Sequence, residues 1–212
     1  MSHSTVLLII DMQRDFLDPD GYVARTGVDV TALRAVIPQV RRLLLTARAV
    51  GVPVIHTREG HRPDLSDLSV VKRRRAAQAG APIGSAGPLG RLLVRGEAGH
   101  AIIEELAPLV AETVIDKPGF GAFYATDLEL ILRTAGITSI TLAGVTTDIC
   151  VHSTLREAID RGFDCTTVGD ACAAGDAGIH RAMLDCIAGE GGILGAVAST
   201  DEIVAGWLSR RT

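Results

Sequence analysis

Lysine is scarce in this chain of 212 residues: of 21 basic residues only Lys72 and Lys117 are lysines, and the rest are arginines. Aromatics are scarce too, at 3%. No apolar run approaches the ~20 residues that cross a bilayer, and the first, Val6 to Ile10, is too short and lacks the basic flank of a secretory signal. Both features predict a soluble, cytoplasmic protein with no membrane partner. The four cysteines, Cys150, Cys165, Cys172 and Cys186, contain no C-x-x-C pair, which argues against a zinc knuckle or a thioredoxin-type motif, and they are too few for a disulfide scaffold. A net charge of -4 gives no global field for nucleic acid. With 47% hydrophobic and 22% charged residues, the chain is neither disordered nor acidic and solvating.

What is present is an alternation of short β-rich runs and longer helical patterns. Val6–Ile10, Pro53–His56, Thr113–Ile115, Ser139–Ala143, Asp164–Val168 and Ile193–Val197 read as six strands. Helices are expected over Ala32–Val50 (firm only after Pro38), Thr126–Ala135, Ile149–Arg161 and Gly178–Ala188, with a last one after Ser199. Thr126 with Glu129 and Ser199 with Glu202 have the spacing of capping boxes. The fold class is therefore α/β: a three-layer α/β/α, doubly wound, six-stranded parallel sheet in one domain over residues 1–212. The rhythm breaks between Arg58 and Gly99, a segment rich in Arg, Gly and Pro. A loop insertion of this length predicts a lid, a binding loop or a subunit contact.

In open parallel sheets ligands bind beyond the carboxyl ends of the strands. Asp11 follows the first strand there, the Thr57–His61 segment the second, Asp116 and Lys117 the third, and the 144–150 loop the fourth. A carboxylate, an ammonium and a thiol thus project onto one edge. Cys150 falls in the first turn of a helix, where the helix dipole and a nearby Lys117 favour a thiolate nucleophile. On that basis Cys150 should be alkylated ahead of the other three cysteines. Asp11 is placed to take the thiol proton and pass it to a leaving amine, and N–H groups of the 144–150 loop to receive an oxyanion. Lys72 is expected on the surface, Cys165 and Cys186 in the core, and His152 on a helix surface pointing away from Cys150. Phe16, Phe123 and Tyr124 serve either the pocket or the core.

The segments LLIIDMQRDF around Asp11, VIDKPGFGAF around Lys117 and LAGVTTDICVHSTLREAIDRGF around Cys150 resemble the isochorismatase-like cysteine hydrolases, over essentially the whole chain. IHTREGHRPDLSDL, GPLGRLLVRGE and IDKPGFGAFYATDLELIL resemble the biuret amidohydrolase branch. The resemblance implies Asp11 as proton-transfer residue, Lys117 as thiolate stabiliser, Cys150 as nucleophile, and a cis peptide before Thr146 that aims the Thr146 and Cys150 N–H groups at an oxyanion. It also implies multimers, a homodimer or homotetramer with the 58–99 segment near a contact. Nicotinamidases of this superfamily hold a metal after strand two. Glu59 and His61 alone make a poor site, so no metal and no cofactor are expected. Phe16, His61, Phe120, Tyr124 and Glu190 are the expected substrate contacts. Phe120 stands where biuret-type enzymes carry Lys, and Glu190 where they carry Gln. That exchange predicts a small amide, ureido or lactam substrate with an apolar body against Phe120 and a cationic or donating group at Glu190. The alternatives are a hydrolase of this type acting on a non-amide, a non-catalytic binding member of the family, and a nucleotide-binding module. The last lacks a G-x-G-x-x-G turn after the first strand.

Overall fold

A computed structural model describes residues 4–209. β1 (Thr5–Ile10) is the central strand, and all six of its residues are buried. Its apolar run is continuous because helices cover both faces of the sheet. Leu7 and Ile9 enter one core, and Val6, Leu8 and Ile10 the other. The short helices α1 (Arg14–Leu17), α2 (Tyr22–Arg25) and α3 (Thr31–Arg34) lead into α4 (Ile37–Val50). The single helix expected over Ala32–Val50 is thus two, and Pro38 occupies the first turn of the second, where its missing N–H costs nothing. α4 ends at Gly51, whose φ of 81° supplies the left-handed stop.

β2 (Val54–Glu59) follows. The insertion then carries α5 (Val70–Gln78) and a small hairpin of β3 (Ala86–Gly87) and β4 (Gly90–Arg91). β5 (Thr113–Lys117), α6 (Leu128–Thr134), β6 (Ser139–Val145), α7 (His152–Asp160), β7 (Asp164–Ala173), α8 (Ala177–Ala188), β8 (Ala196–Ala198) and α9 (Thr200–Ser209) complete the chain. The sheet order is β5-β2-β1-β6-β7-β8, with every pairing parallel. Residues of α4 and α9 join one core, and residues of α6, α7 and α8 the other. The sequence runs outward from β1 through β2 to β5 and from β6 through β7 to β8. β1 and β6 therefore flank the switch point where such sheets bind ligands.

Local expectations meet mixed outcomes. Ser199 and Glu202 form their reciprocal cap, with Ser199 N–H donating to Glu202 Oε2 at 2.7 Å and Glu202 N–H to Ser199 Oγ at 3.3 Å. The Thr126 box does not form. Thr126 donates to the Ala122 carbonyl instead, and Glu129 is drawn off by Arg133 and Arg161. Cys186 is exposed rather than in the core. No helix among the described residues is long and apolar enough to cross a membrane.

Candidate active site

Asp11 leaves β1 with φ of 49°, a left-handed conformation that aspartate tolerates better than most residues. Thr57, on β2, fixes it twice: the Asp11 N–H donates to Thr57 Oγ1 at 3.2 Å, and that hydroxyl donates to Asp11 Oδ1 at 2.6 Å. Two positions on, the end of β2 places Glu59. The Gln13 amide brackets its backbone, accepting from the Glu59 N–H at 2.6 Å and donating to the Glu59 carbonyl at 3.0 Å. β5 ends in Lys117, fully buried. Its Nζ lies 2.7 Å from Asp11 Oδ2 and 3.5 Å from Glu59 Oε2. The same ammonium donates to the Gly119 and Phe120 carbonyls at 3.1 and 2.9 Å.

Cys150 arrives from β6. The peptide before Thr146 is cis, and the chain then makes a π-helical turn over Thr147–Val151 before α7. The thiol is 2% exposed and donates to Glu59 Oε2 at 3.3 Å. The expected trio, Asp11, Lys117 and Cys150, is thus brought together with a fourth member, Glu59.

The charge states follow from burial and neighbours. Burial raises the Asp11 carboxyl above the ordinary carboxylate range, against the pull of Lys117. Burial also opposes the charge on Glu59, but Lys117 and Lys72 outweigh it and hold Glu59 low. The Lys117 ammonium keeps its proton despite burial, through Asp11, Cys150 and Glu59. Burial pushes Cys150 well up, further than Lys117 brings it down. The expected resting thiolate is therefore corrected to a thiol. Its surroundings are two carboxylates as well as one cation, and the carboxylates offset what the helix terminus offers.

Lys72 is a second correction. Far from being a surface residue, it reaches in from α5 to lie 2.6 Å from Glu59 Oε1. It also donates to the Pro118 carbonyl at 2.7 Å and stands 4.9 Å from the centroid of the Phe120 ring. Of the expected substrate contacts, Phe120 and Tyr124 are exposed at the loop after β5, 44% and 63% respectively, with the Tyr124 ring against Gly119. His61 is buried, with Nδ1 3.1 Å from Asp67 Oδ1. Burial depresses its pKa, so the ring is neutral. Phe16 packs in the core against Tyr22, ring centroids 6.5 Å apart. Tyr22 is partly buried against the same core. Burial and then the charges of Glu59, Asp15 and Cys150 push its hydroxyl up to about 12. Its only signal in the sequence is that it is one of seven aromatics, near the Asp11 motif.

Glu190 is not at this edge. It is exposed and follows α8, whose end meets the beginnings of β7 and β8: Asp164, Ala188, Gly191, Gly195 and Ala196 line one groove there. α8 runs antiparallel to the strands, so a residue past its C-terminus lies at the amino edge of the sheet. The expected cationic subsite falls with this placement.

Asp11, Glu59 and Cys150 present ligand atoms within 4.8 Å of one another, the donor set of a metal site. Lys117 already supplies a cation among them. The Glu59–His61 pair is divided, since Glu59 turns to the two lysines while His61 turns to Asp67.

Residues 5–202 match the Isochorismatase domain family. The chain is 30% identical to a ureidoacrylate amidohydrolase of Methylobacterium radiotolerans, covering 85% of this chain and 72% of that one. It is 31% identical to a ureidoacrylate amidohydrolase of Acinetobacter baylyi, covering 85% and 75%. A crystal structure of a cysteine hydrolase from Pseudomonas syringae pv. phaseolicola superposes with a TM-score of 0.83 at 27% identity, covering 97% and 93%. With its doubly wound sheet and the carboxylate, ammonium and thiol gathered at one strand edge, this chain is a hydrolase of the isochorismatase family.

Proposed function

We propose that the protein is an amidohydrolase that cleaves a small amide or ureido C–N bond through a thioester on Cys150. The observation that carries this reading is the buried Lys117 ammonium, which touches the carboxylate after β1 in a site shared with the thiol after β6. The relatives named for ureidoacrylate support the bond type.

The thiol proton passes to Asp11, whose raised affinity for a proton suits it to hold one. Lys117 balances the sulfur charge as Sγ bonds to the carbonyl carbon. The carbonyl oxygen becomes an alkoxide, received by the Thr146 and Cys150 N–H groups. Asp11 returns the proton to the leaving nitrogen, the C–N bond breaks, and a thioester remains. Asp11 then takes a proton from water, the hydroxide adds to the thioester carbonyl, the C–S bond breaks to release the acid, and Asp11 returns its proton to the Cys150 sulfur. Every step uses groups of this chain, so chelators should leave turnover unchanged.

The test is an ammonia-release screen over biuret, ureidoacrylate, nicotinamide, maleamate and lactam amides, with intact-mass detection of the acyl-enzyme. Cys150→Ser should abolish release and acylation while the protein stays folded. Turnover by Cys150→Ser, or an adduct on another cysteine, would overturn the reading.

A further inference from the structure

We propose that Lys72 selects substrates that carry a carboxylate on the body attached to the scissile group. This rests on the amidohydrolase reading and specifies its substrate class. Lys72 and Lys117 are the only lysines in the chain, and both have their ammonium on Glu59. Glu59 gives Oε1 to Lys72 and turns Oε2 to the Cys150 thiol, so Lys72 stands one carboxylate away from the nucleophile. An ammonium has three donors. Glu59 and the Pro118 carbonyl take two of them, and the third meets no oxygen among the described residues.

The Lys72 side chain is 14% exposed, against 4% for Glu59 and none for Lys117. A ligand entering from solvent therefore meets Lys72 before the other two. The surrounding charge favours an anion. Residues 58–99 hold eight basic and four acidic side chains in a chain of net charge -4, and Arg73, Arg74 and Arg75 continue from Lys72, exposed on α5. Arg58, Arg62 and Arg95 are paired with Asp116, Asp64 and Asp67, so the positive charge that draws anions toward Lys72 is that of the three exposed arginines following it on α5. Glu59 is a weak rival anchor for a cationic substrate, because its charge is already balanced by two ammoniums and its side chain is only 4% exposed. The half-exposed Phe120 ring beside Lys72 offers an apolar surface to a short carbon body.

The probes hold one ureido group constant and change only the remote charge: 3-ureidopropionate as anion, its N,N-dimethylamide as neutral, and 3-aminopropylurea as cation. A charge-assisted contact to the anion should raise kcat/KM about ten- to a hundredfold over the neutral probe, with the cation slowest. Lys72→Met should raise KM for the anion by a similar factor over the neutral probe and collapse the preference, while any fall in kcat that reaches Cys150 through Glu59 is common to all three probes. Lys72→Arg should restore part of it. An equal loss on all three probes would make Lys72 only a latch on Glu59 and overturn the proposal, as would a preference for the cation. Calorimetry on Cys150→Ser, with and without Lys72→Met, repeats the comparison without turnover. Lys72-dependent binding of the anion with no hydrolysis of any probe refutes the amidohydrolase reading alone. Hydrolysis without charge preference refutes the Lys72 assignment alone, and the absence of both refutes both.

Discussion

Cys150 meets its neighbours as a thiol, and its reactivity depends on how that proton is held. Burial and the facing carboxylates raise its affinity for the proton, while the side chain itself is almost closed off. Cys186 alone of the four cysteines is exposed. Iodoacetamide at neutral pH should therefore alkylate Cys186 first and Cys150 slowly, with the Cys150 rate still climbing above pH 9. Cys165 and Cys172, both pushed up to about 12 by burial, should stay unlabelled until the protein unfolds. Peptide mapping by mass spectrometry reads the order. Fast labelling of Cys150 at pH 7 would restore the thiolate that a helix terminus alone predicts. Asp11→Asn and Lys117→Met should each lower kcat/KM by at least about a hundredfold, since proton transfer and preorganised charge each contribute on that scale.

The elements matter through where they end. β1 and β6 deliver Asp11 and Cys150 to one crevice because they are parallel neighbours paired along their length. Gly144 makes the approach close: its φ is 120°, and a Cβ there would run into the backbone of Ile10. Gly144→Ala combines backbone strain with a backbone clash and should cost roughly 3 kcal/mol or more in urea unfolding. At the edge of the sheet, Glu112 leads into β5. It takes two bonds from Arg48 at 2.7 and 2.8 Å, the Leu109 N–H at 2.9 Å, and a His56 contact at 3.1 Å. Burial opposes its charge, but these partners bring its pKa down to about 2. A carboxyl held below its unfolded value stabilises the fold fully above about pH 4.5, and that contribution is lost as pH falls toward 2. After a discount for solvent around Arg48, Glu112→Gln should cost about 1–2 kcal/mol at pH 7. More than half of that gap should be gone at pH 3, read from urea midpoints at the two pH values.

At the scale of the whole molecule, charge is unevenly divided. The insertion is basic, and the remainder carries the excess of acid. α5 projects Val70 and Val71 to solvent at 82% and 47% exposure, on the same helix that sends Lys72 into the site. Apolar side chains exposed on a charged helix fit the expectation that the 58–99 segment lies near a contact between copies, and we propose a homodimer or homotetramer on that basis. Light scattering at micromolar concentration should give a multiple of 22.2 kDa. Val70→Asp with Val71→Asp should shift the mass toward the monomer. A monomeric unmodified protein would remove this assembly.

The sequence by itself determined the layered sheet and three of the four residues at its centre. In a parallel sheet the residue that follows each strand is carried to one edge whatever the loops do, so Asp11, Lys117 and Cys150 could be placed from strand ends alone. The Ser199 cap is local and was legible for the same reason. Tertiary structure alone decided the groups that reach the site by other routes. Lys72 comes from a helix inside an irregular insertion, and its direction depends on how that insertion folds over Glu59 and Phe120. Glu190 was expected at the site only through the resemblance to biuret-type enzymes, and antiparallel α8 carries it to the opposite edge. The protonation of Cys150 was equally out of reach, because a motif shows the helix terminus beside the thiol but not the buried Glu59 facing it. Linear spacing fixes which residues end strands, and only the packed chain fixes which charges share a low-dielectric space.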